Sequence, residues 1–239
     1  MNIKKIAKKV YKVIKYHLID KPNLMIEDYK MSIGIKKCNE FLDSGERYDP
    51  EIGQMIKWCD PCHISRYKFA RKYLDKQDTV LDIACGTGYG TKILSSSCKS
   101  IIGVDISPKA IQYANLKYRT KKSKFILSDF WNNEIIADVV VSFETIEHIE
   151  CQDIADVVKK LLKYCNKTII GSVPYKEVNN NNKYHFSFNI DEECFVFLHK
   201  LGEIVFFYQT PDGNISLEKP IENDIQNLIF AFTKQPNDL

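Results

Sequence analysis

Three ionisable side chains follow an apolar run near the middle of the chain. Residues 139–143 read VVVSF, and Glu144, Glu147 and His148 come after them at positions i, i+3 and i+4. If the segment turns helical there, this spacing places all three side chains on one face. One interpretation is structural: the histidine shapes a pocket and a carboxylate caps the helix. A second is a base dyad, in which His148 accepts a proton and Glu147 or Glu144 orients the imidazole.

Alternating strands and helices must position these side chains. From residue 79 onward, short apolar runs alternate with amphipathic stretches, which predicts an α/β fold with a mostly parallel sheet and helices on both faces. Ser107 and Pro108 mark the start of one helix, as its N-cap and first residue. The seven predicted strands are 79–84, 100–106, 123–130, 137–144, 167–174, 203–210 and 227–234, and the predicted helices begin at 91, 107, 153 and 191.

A glycine-rich turn separates the first predicted strand from its helix. The segment CGTGYG carries Gly86, Gly88 and Gly90, and glycines at such a turn let a ligand approach the backbone and the helix N-terminus. The dinucleotide fingerprint G-x-G-x-x-G is not met, because Thr91 stands where its third glycine belongs. Asp82 precedes the turn, and a carboxylate there repels a pyrophosphate but suits a cationic cofactor.

The segment DIACGTG resembles the first motif of the class I S-adenosylmethionine-dependent methyltransferases, whose fold is Rossmann-like. The resemblance covers roughly residues 79–233. It implies that Asp82 lies near the amino-acid end of S-adenosyl-L-methionine, that Asp105 holds both ribose hydroxyls, and that Asp129 faces the adenine amine. The cofactor-binding residues expected on this basis are Asp82, Ala84, Gly86, Gly88, Tyr89, Asp105, Ile106, Asp129 and Phe130. Arg47 and Tyr67 precede this region and are expected to contact the cofactor from an N-terminal lid.

A second resemblance offers a third interpretation of the residues after the fourth strand. The pattern E-x-x-E-H is similar to the one with which small-RNA 3′-terminal 2′-O-methyltransferases hold a divalent ion, together with a histidine further on. The resemblance implies a metal site made of Glu144, Glu147, His148 and His185. Carboxylates with imidazole suit Mn²⁺ somewhat better than Mg²⁺. Such an ion would hold a vicinal diol and lower the pKa of one hydroxyl. Ile149 departs from the pattern of the RNA enzymes, which have a second histidine there.

The N-terminal third resembles methyltransferases encoded among glycan and O-antigen biosynthesis genes. The segments GERYDPE (45–51) and H-x-x-RY-x-FA (63–70) carry this resemblance. It implies a helical lid, in which Arg47, Tyr48, Arg66 and Tyr67 are candidates to touch the cofactor carboxylate or the acceptor. We predict a basic amphipathic helix over 1–20, the lid over 21–78 and the S-adenosylmethionine-binding domain over 79–239. The predicted function is therefore O-methylation of a hydroxyl of a sugar or glycan precursor.

Other functions remain open at the level of sequence. They are RNA 2′-O-methylation, methylation of an amino-sugar nitrogen or a quinone-type phenol, and a cofactor-binding partner subunit without catalysis. The formal net charge is only +3, and the core lacks a basic tract, which makes nucleic acid a weaker candidate partner. No apolar run reaches the ~20 residues of a membrane span, so a cytoplasmic protein is expected. The basic N-terminal helix could still contact a membrane surface.

Overall fold

The computed structural model describes residues 48–50, 60–178 and 184–235, all of which lie in a compact unit spanning Glu46–Leu239. The helices are α1 (Pro61–Ala70), α2 (Tyr89–Ser95), α3 (Pro108–Lys117) and α4 (Ile154–Tyr164). The strands are β1 (Thr79–Ile83), β2 (Ser100–Asp105), β3 (Ser123–Leu127), β4 (Ala137–Phe143), β5 (Cys165–Pro174), β6 (Gly202–Gln209), β7 (Ile215–Ser216) and β8 (Asn227–Lys234). Four 3₁₀ segments, Arg71–Tyr73, Ile146–His148, Glu192–Lys200 and Glu222–Asp224, complete the regular structure of these residues.

The sheet has eight strands in the order β3-β2-β1-β4-β5-β8-β6-β7. The first five strands are parallel to one another, β8 pairs antiparallel with β5, and β6 and β7 follow in antiparallel pairing. The predicted α/β class and mostly parallel sheet are therefore confirmed. The predicted number of seven strands is wrong by one, because β7 was missed. This edge strand contains two residues, Ile215 and Ser216, which is too short for any apolar alternation to show in the sequence.

Local sequence signals explain where the helices begin. The Ser107 hydroxyl accepts a hydrogen bond from the backbone N–H of Ala110, and Pro108 opens α3, as predicted. The Asp153 carboxylate caps α4 in the same way, through the backbone N–H of Ala155. The helix expected from residue 191 is instead a 3₁₀ segment of nine residues, Glu192–Lys200. That segment still buries Phe195 and Leu198 against the sheet, so the apolar pattern was interpreted correctly and the helix type was not.

The order of the strands determines where a ligand can bind. The chain leaves β1 in one direction to form β2 and β3, and returns to the other side of β1 to form β4 and β5. In open parallel sheets, ligands bind in the crevice at the carboxyl ends of the strands, where the order reverses. Asp82, Asp105 and Glu144 lie at or just beyond the carboxyl ends of β1, β2 and β4.

The N-terminal predictions are tested only in part by the described residues. The predicted helix over 1–20 and most of the predicted lid, including Arg47, lie outside them. Within 60–78, α1 and the 3₁₀ segment that follows it are helical, as the lid prediction requires. Among the helices of the described residues, none combines the length and the apolar character that crossing a bilayer requires.

Candidate active site at the carboxyl edge of the sheet

The glycine turn after β1 leaves open space above its backbone. Ala84, Gly86 and Gly88 all have positive φ angles, of 56°, 53° and 87°. A Cβ atom built on Gly86 would meet no heavy atom within 4 Å, and Ala84 is exposed beside it. A Cβ atom on Gly88 would instead lie 2.7 Å from the Ala114 methyl group. Gly88 therefore serves packing, whereas the open backbone at Gly86 can be approached by a ligand.

Asp105 is fixed at the end of β2, next to this open space. Its Oδ2 accepts a hydrogen bond from the Gly86 backbone N–H at 3.0 Å, and its Oδ1 accepts one from the Ser107 N–H at 2.8 Å. The following residue, Ile106, is 68% exposed, so its apolar side chain is available for contact with a ligand. A carboxylate beside an exposed apolar side chain suits a ribose diol joined to an aromatic base.

Asp129 and Phe130 follow β3 at the same edge. The Asp129 carboxylate accepts hydrogen bonds from the backbone N–H groups of Trp131 and Asn132, the second at 3.3 Å. Phe130 packs edge-on against Trp131, with the two ring centroids 5.2 Å apart. These contacts keep both residues at the carboxyl edge, where the resemblance to class I methyltransferases implies the adenine of the cofactor.

Asp82 lies beneath the turn and is completely buried. Its carboxylate accepts hydrogen bonds from the hydroxyls of Thr91 and Tyr67, the second at 3.4 Å. Burial raises the pKa of Asp82 from 3.8 to about 7, although both hydrogen bonds act in the opposite direction. The Tyr67 ring in turn packs over Gly90, where a Cβ atom would lie 2.0 Å from it. Helix α1 is thereby joined to the glycine turn.

The residues present fit S-adenosylmethionine. The open backbone at Gly86, the fixed Asp105 carboxylate and the exposed Ile106 lie next to one another, and the Asp82 carboxylate would interact favourably with a cationic ligand above it. Tyr89 is buried at the start of α2 and contacts the Tyr48 and Tyr67 rings edge-on, with centroid separations of 5.7 and 5.4 Å. Tyr89 therefore supports the wall of this cleft.

Glu144 is the first residue after β4, and its backbone is left-handed, with φ of 49°. Its carboxylate accepts hydrogen bonds from the Ser172 hydroxyl at 2.7 Å and from the Asn227 side-chain amide at 2.8 Å. The Arg66 guanidinium lies 4.0 Å from the same carboxylate. The expectation of one helical face for the three ionisable residues is wrong. Only Ile146–His148 forms a 3₁₀ turn, and Glu144 precedes it.

Glu147, His148 and His185 form a separate cluster at the same edge. One candidate ligand atom from each lies within 4.8 Å of the others. Glu147 is 1% exposed, and neither of its carboxylate oxygens has a hydrogen-bond partner. Burial, followed by the charge of Glu144, raises the pKa of Glu147 well above its ordinary value. The nearest imidazole atom, His148 Nε2, is 4.0 Å from Glu147 Oε1, which is too far for a hydrogen bond.

Both imidazoles of the cluster are oriented by acceptors behind them. His148 Nδ1 lies 3.0 Å from the Tyr184 carbonyl oxygen, and His185 Nδ1 contacts the Glu177 carboxylate. A carbonyl can only accept, so Nδ1 of His148 carries the proton and Nε2 carries the lone pair. The ring centroids are 4.6 Å apart. The chain thus presents two imidazoles and one buried carboxylate, which is a donor set for a divalent transition metal.

The sequence reasoning missed the polar residues that hold Glu144. Arg66 is buried, and its Nη1 donates to the side-chain oxygens of Gln209 and Asn227, both at 2.9 Å. Ser172, Gln209 and Asn227 come from β5, β6 and β8, so only the antiparallel pairing brings them together. Arg66 itself was expected in the lid, touching the cofactor or the acceptor. A polar residue at the end of a predicted strand was the one signal available for these positions.

Comparisons with known proteins agree with this geometry. The family model described as "Methyltransferase domain" matches residues 80–168. A relative from Mycobacterium tuberculosis, named "Probable S-adenosylmethionine-dependent methyltransferase", is 25% identical over 130 residues, which are 54% of this chain and 44% of that protein. The chain thus spans less than half the length of this curated relative.

Solved structures share the fold. The small RNA methyltransferase HEN1 matches with a TM-score of 0.60 and 22% identity, over 75% of this chain and 26% of that chain. The N-methyltransferase NodS from Bradyrhizobium japonicum WM9, in complex with S-adenosyl-L-homocysteine, matches with a TM-score of 0.56 and 15% identity, over 73% and 86% of the two chains.

Residues 80–168 thus match a methyltransferase domain, and the curated relatives that match this chain include proteins named probable S-adenosylmethionine-dependent methyltransferases. The predicted Rossmann-like fold, enzyme class and cofactor are thereby confirmed for this methyltransferase domain. The glycan subgroup, the acceptor and the roles of individual side chains stay predictions. The matched residues 80–168 run from β1 to the first residues of β5, so they cover most of the parallel part of the sheet and contain the glycine turn, Asp105, Asp129 and the Glu147–His148 pair.

Proposed function

We propose that the protein transfers a methyl group from S-adenosylmethionine to a hydroxyl of a sugar or sugar-containing acceptor. We further propose that a divalent cation on Glu147, His148 and His185 assists this transfer. The observation that carries the metal assignment is the Glu147 carboxylate, which is buried without a hydrogen-bond partner for either oxygen. Buried carboxylates are otherwise paired, hydrogen-bonded or bound to a metal, because an isolated buried charge is costly.

The surroundings of Glu147 support a cation more than they support a base dyad. In a dyad, the carboxylate would accept a hydrogen bond from the imidazole, but His148 donates its Nδ1 proton to the Tyr184 carbonyl. Glu177 holds the second imidazole, which gives His185 the support from behind that metal-bound histidines commonly have. Two nitrogens and carboxylate oxygen suit Mn²⁺ better than Mg²⁺.

Each group would have a distinct task in the reaction. S-adenosylmethionine supplies an electrophilic methyl group, and a cation would hold two neighbouring hydroxyls and lower the pKa of one of them. Asp105 and the open backbone at Gly86 hold the cofactor, and Asp82 places negative charge beneath it. We assign Glu144 to the wall of the acceptor site, since Ser172 and Asn227 already hold its carboxylate. Glu144 also lies outside the group of candidate ligand atoms formed by Glu147, His148 and His185, so its predicted role as a metal ligand would require its carboxylate to move.

The acceptor proposal rests on the chemistry of a vicinal diol. Sugars offer neighbouring hydroxyls that one cation can bind together, whereas an amine or an isolated phenol does not. A terminal ribose of RNA offers the same diol, and the likeness in fold to the small RNA methyltransferase HEN1 makes RNA the second candidate acceptor. A third possibility, a cofactor-binding subunit without catalysis, fits less well with the intact cluster beside the cleft.

Three measurements test the proposal in order. Calorimetric titration with S-adenosylhomocysteine, with and without Mn²⁺, tests the cofactor assignment first, and Asp105→Ala should weaken binding strongly. Turnover is then measured as S-adenosylhomocysteine released from nucleotide sugars, glycans and RNA with a free 3′ end. Finally, EDTA should abolish this turnover and Mn²⁺ should restore it, as the metal assignment requires.

Matched variants separate the metal site from general damage. Glu147→Gln, His148→Ala and His185→Ala should each lose Mn²⁺ binding, measured by electron paramagnetic resonance of the free ion, and should retain S-adenosylhomocysteine binding. His199→Ala removes an exposed imidazole outside the cluster and should change neither property. Turnover that persists in EDTA while falling only in His148→Ala would reject the cation and favour the base dyad. Cofactor binding with no turnover on any acceptor would favour the non-catalytic subunit.

A further inference from the structure

A basic groove lies at the amino-terminal ends of β2 and β3. It has a volume of about 800 Å³. Its cations are Lys99, Arg119, Lys121, Lys122 and Lys124, all of them exposed. β2 contains six residues, so the groove and the Asp105 carboxylate are separated by roughly 16 Å along the strand. The groove is therefore distinct from the cleft that holds the proposed reaction, and what it binds does not depend on that reaction.

The positive charge of this groove is not neutralised within the described part of the chain. The sequence has no acidic residue between Asp105 and Asp129. Asp78, which lies near Lys99, is buried and forms an ion pair with Lys167 at 2.7 Å. Within the described ranges, ion pairs are found for none of the groove's cations, and Lys122 donates instead to the Cys98 carbonyl at 2.7 Å. Like charges held this close repel one another, and an anionic partner would relieve the repulsion.

Protection of the sheet edge explains only part of this charge. β3 is the edge strand, and a lysine on an edge strand such as Lys124 discourages pairing with another chain. Lys99 precedes β2, however, and Arg119, Lys121 and Lys122 lie in the turn between α3 and β3. None of these four side chains belongs to the edge strand. They converge on one groove from two separate turns, which protection of the edge does not require.

We propose that this groove docks the protein on an anionic lipid surface. An exposed apolar side chain lies beside the groove: Leu116, in the last turn of α3 and three residues before Arg119. Basic residues beside exposed aliphatic side chains are typical of peripheral membrane binding. A single-stranded nucleic acid is less well matched, because the described residues that line the groove include no aromatic side chain on which a base could stack.

This docking has a geometric consequence for the methyltransferase domain. The groove lies at the amino ends of β2 and β3, and Asp105 and Asp129 lie at their carboxyl ends. A membrane held at the groove therefore leaves the cofactor cleft open on the far side of the sheet. An acceptor would reach it from solution or from a long chain extending out of the bilayer.

Co-sedimentation of the full chain with vesicles tests the proposal. The groove variant Lys99→Gln/Arg119→Gln/Lys121→Gln/Lys124→Gln is compared with a control, Lys68→Gln/Lys159→Gln/Lys163→Gln/Lys200→Gln, which removes the same charge from exposed positions elsewhere. Each basic residue near an anionic bilayer contributes about fivefold in affinity, so the groove variant should bind phosphatidylserine-containing vesicles more than about tenfold more weakly. The control should bind like the unmodified chain, and high salt should release all three.

Several outcomes decide the matter. Unchanged thermal unfolding and S-adenosylhomocysteine binding in the groove variant would show that its loss of vesicle binding is local. Together with weak binding of the unmodified chain to pure phosphatidylcholine vesicles, this result would support the proposal. Equal vesicle binding by the groove variant and the unmodified chain would overturn it, as would equal losses in both variants. Tighter binding of an oligonucleotide than of anionic vesicles, abolished only in the groove variant, would overturn the lipid assignment and make nucleic acid the partner.

Discussion

The buried Asp82 carboxylate should make the stability of the protein depend on pH. Burial raises its pKa from 3.8 to about 7, so between these values the folded chain keeps a proton that the unfolded chain has lost. The contribution of Asp82 to the free energy of unfolding should therefore be highest at acid pH. It should fall as pH rises through this window and level off above it. A shift of about three pKa units corresponds to a fall of about 4 kcal/mol.

The substitution Asp82→Asn isolates this effect, since asparagine has nearly the same shape and does not ionise. The difference in unfolding free energy between Asp82→Asn and the unmodified chain should change by about 4 kcal/mol from about pH 4 to about pH 8, in favour of the variant at higher pH. Denaturant titrations of the protein without cofactor, repeated across this range, measure the difference. Asp156→Asn changes an exposed carboxylate and should give a curve parallel to that of the unmodified chain.

Cofactor binding should reveal the same group. A cation bound above Asp82 favours its ionised form, so S-adenosylmethionine should bind more tightly as pH rises toward about 7, with release of a proton. Calorimetry in buffers of different ionisation enthalpy counts that proton, and the Asp82→Asn variant should release none. Parallel stability curves for Asp82→Asn and the unmodified chain would refute the reasoning, because they would mean that Asp82 titrates equally in both states.

Four further substitutions test the packing of the site. Gly88→Ala should lower the unfolding free energy by about 3 kcal/mol, because the added methyl group would clash with Ala114 and the backbone there is left-handed. Gly86→Ala should lower it by only about 1 kcal/mol and should chiefly weaken S-adenosylhomocysteine binding. Thermal unfolding and calorimetry compare the two variants. Ser172→Ala removes a hydrogen bond to Glu144 and should cost about 1–2 kcal/mol in denaturant titrations. Arg66→Met leaves the buried side-chain oxygens of Gln209 and Asn227 without the hydrogen bonds that Arg66 donates, and should lower the unfolding free energy by about 3 kcal/mol. An unchanged denaturation midpoint would contradict this expectation.

The parallel half of the sheet could be predicted from the sequence, because buried parallel strands are continuous apolar runs and their helices begin at local capping residues. Ser107 and Pro108 identified the start of α3 to the residue. The antiparallel half offered weaker signals. β7 contains two residues, and the segment Glu192–Lys200 has helical apolar spacing but folds as a 3₁₀ segment. Sequence spacing specifies a buried face better than it specifies the hydrogen-bonding pattern behind it.

The acids of the site were found through the resemblance to class I methyltransferases, supported by their positions at the ends of strands, but their environments could not be predicted. Residues that end parallel strands meet at one edge, so Asp82, Asp105 and Asp129 could be assigned together. Whether a carboxylate there faces solvent depends on what covers it. Asp82 is enclosed by the Tyr67 ring from α1 and the Thr91 hydroxyl from α2, and this enclosure sets its pKa. Contacts between distant segments of this kind leave no periodic trace in the sequence.

The φ angle of Glu144 separates its side chain from those of Glu147 and His148, so the three ionisable residues belong to two different sites. Spacing of i, i+3 and i+4 implies a common face only if the chain is helical from the first residue. The φ of 49° at Glu144 turns its carboxylate to Ser172 and Asn227, and the 3₁₀ turn then directs Glu147 and His148 to His185. Because Glu144 has two neutral donors and Glu147 has none, Glu147 is the carboxylate that gains most from a bound cation, and it is the one whose substitution should abolish Mn²⁺ binding.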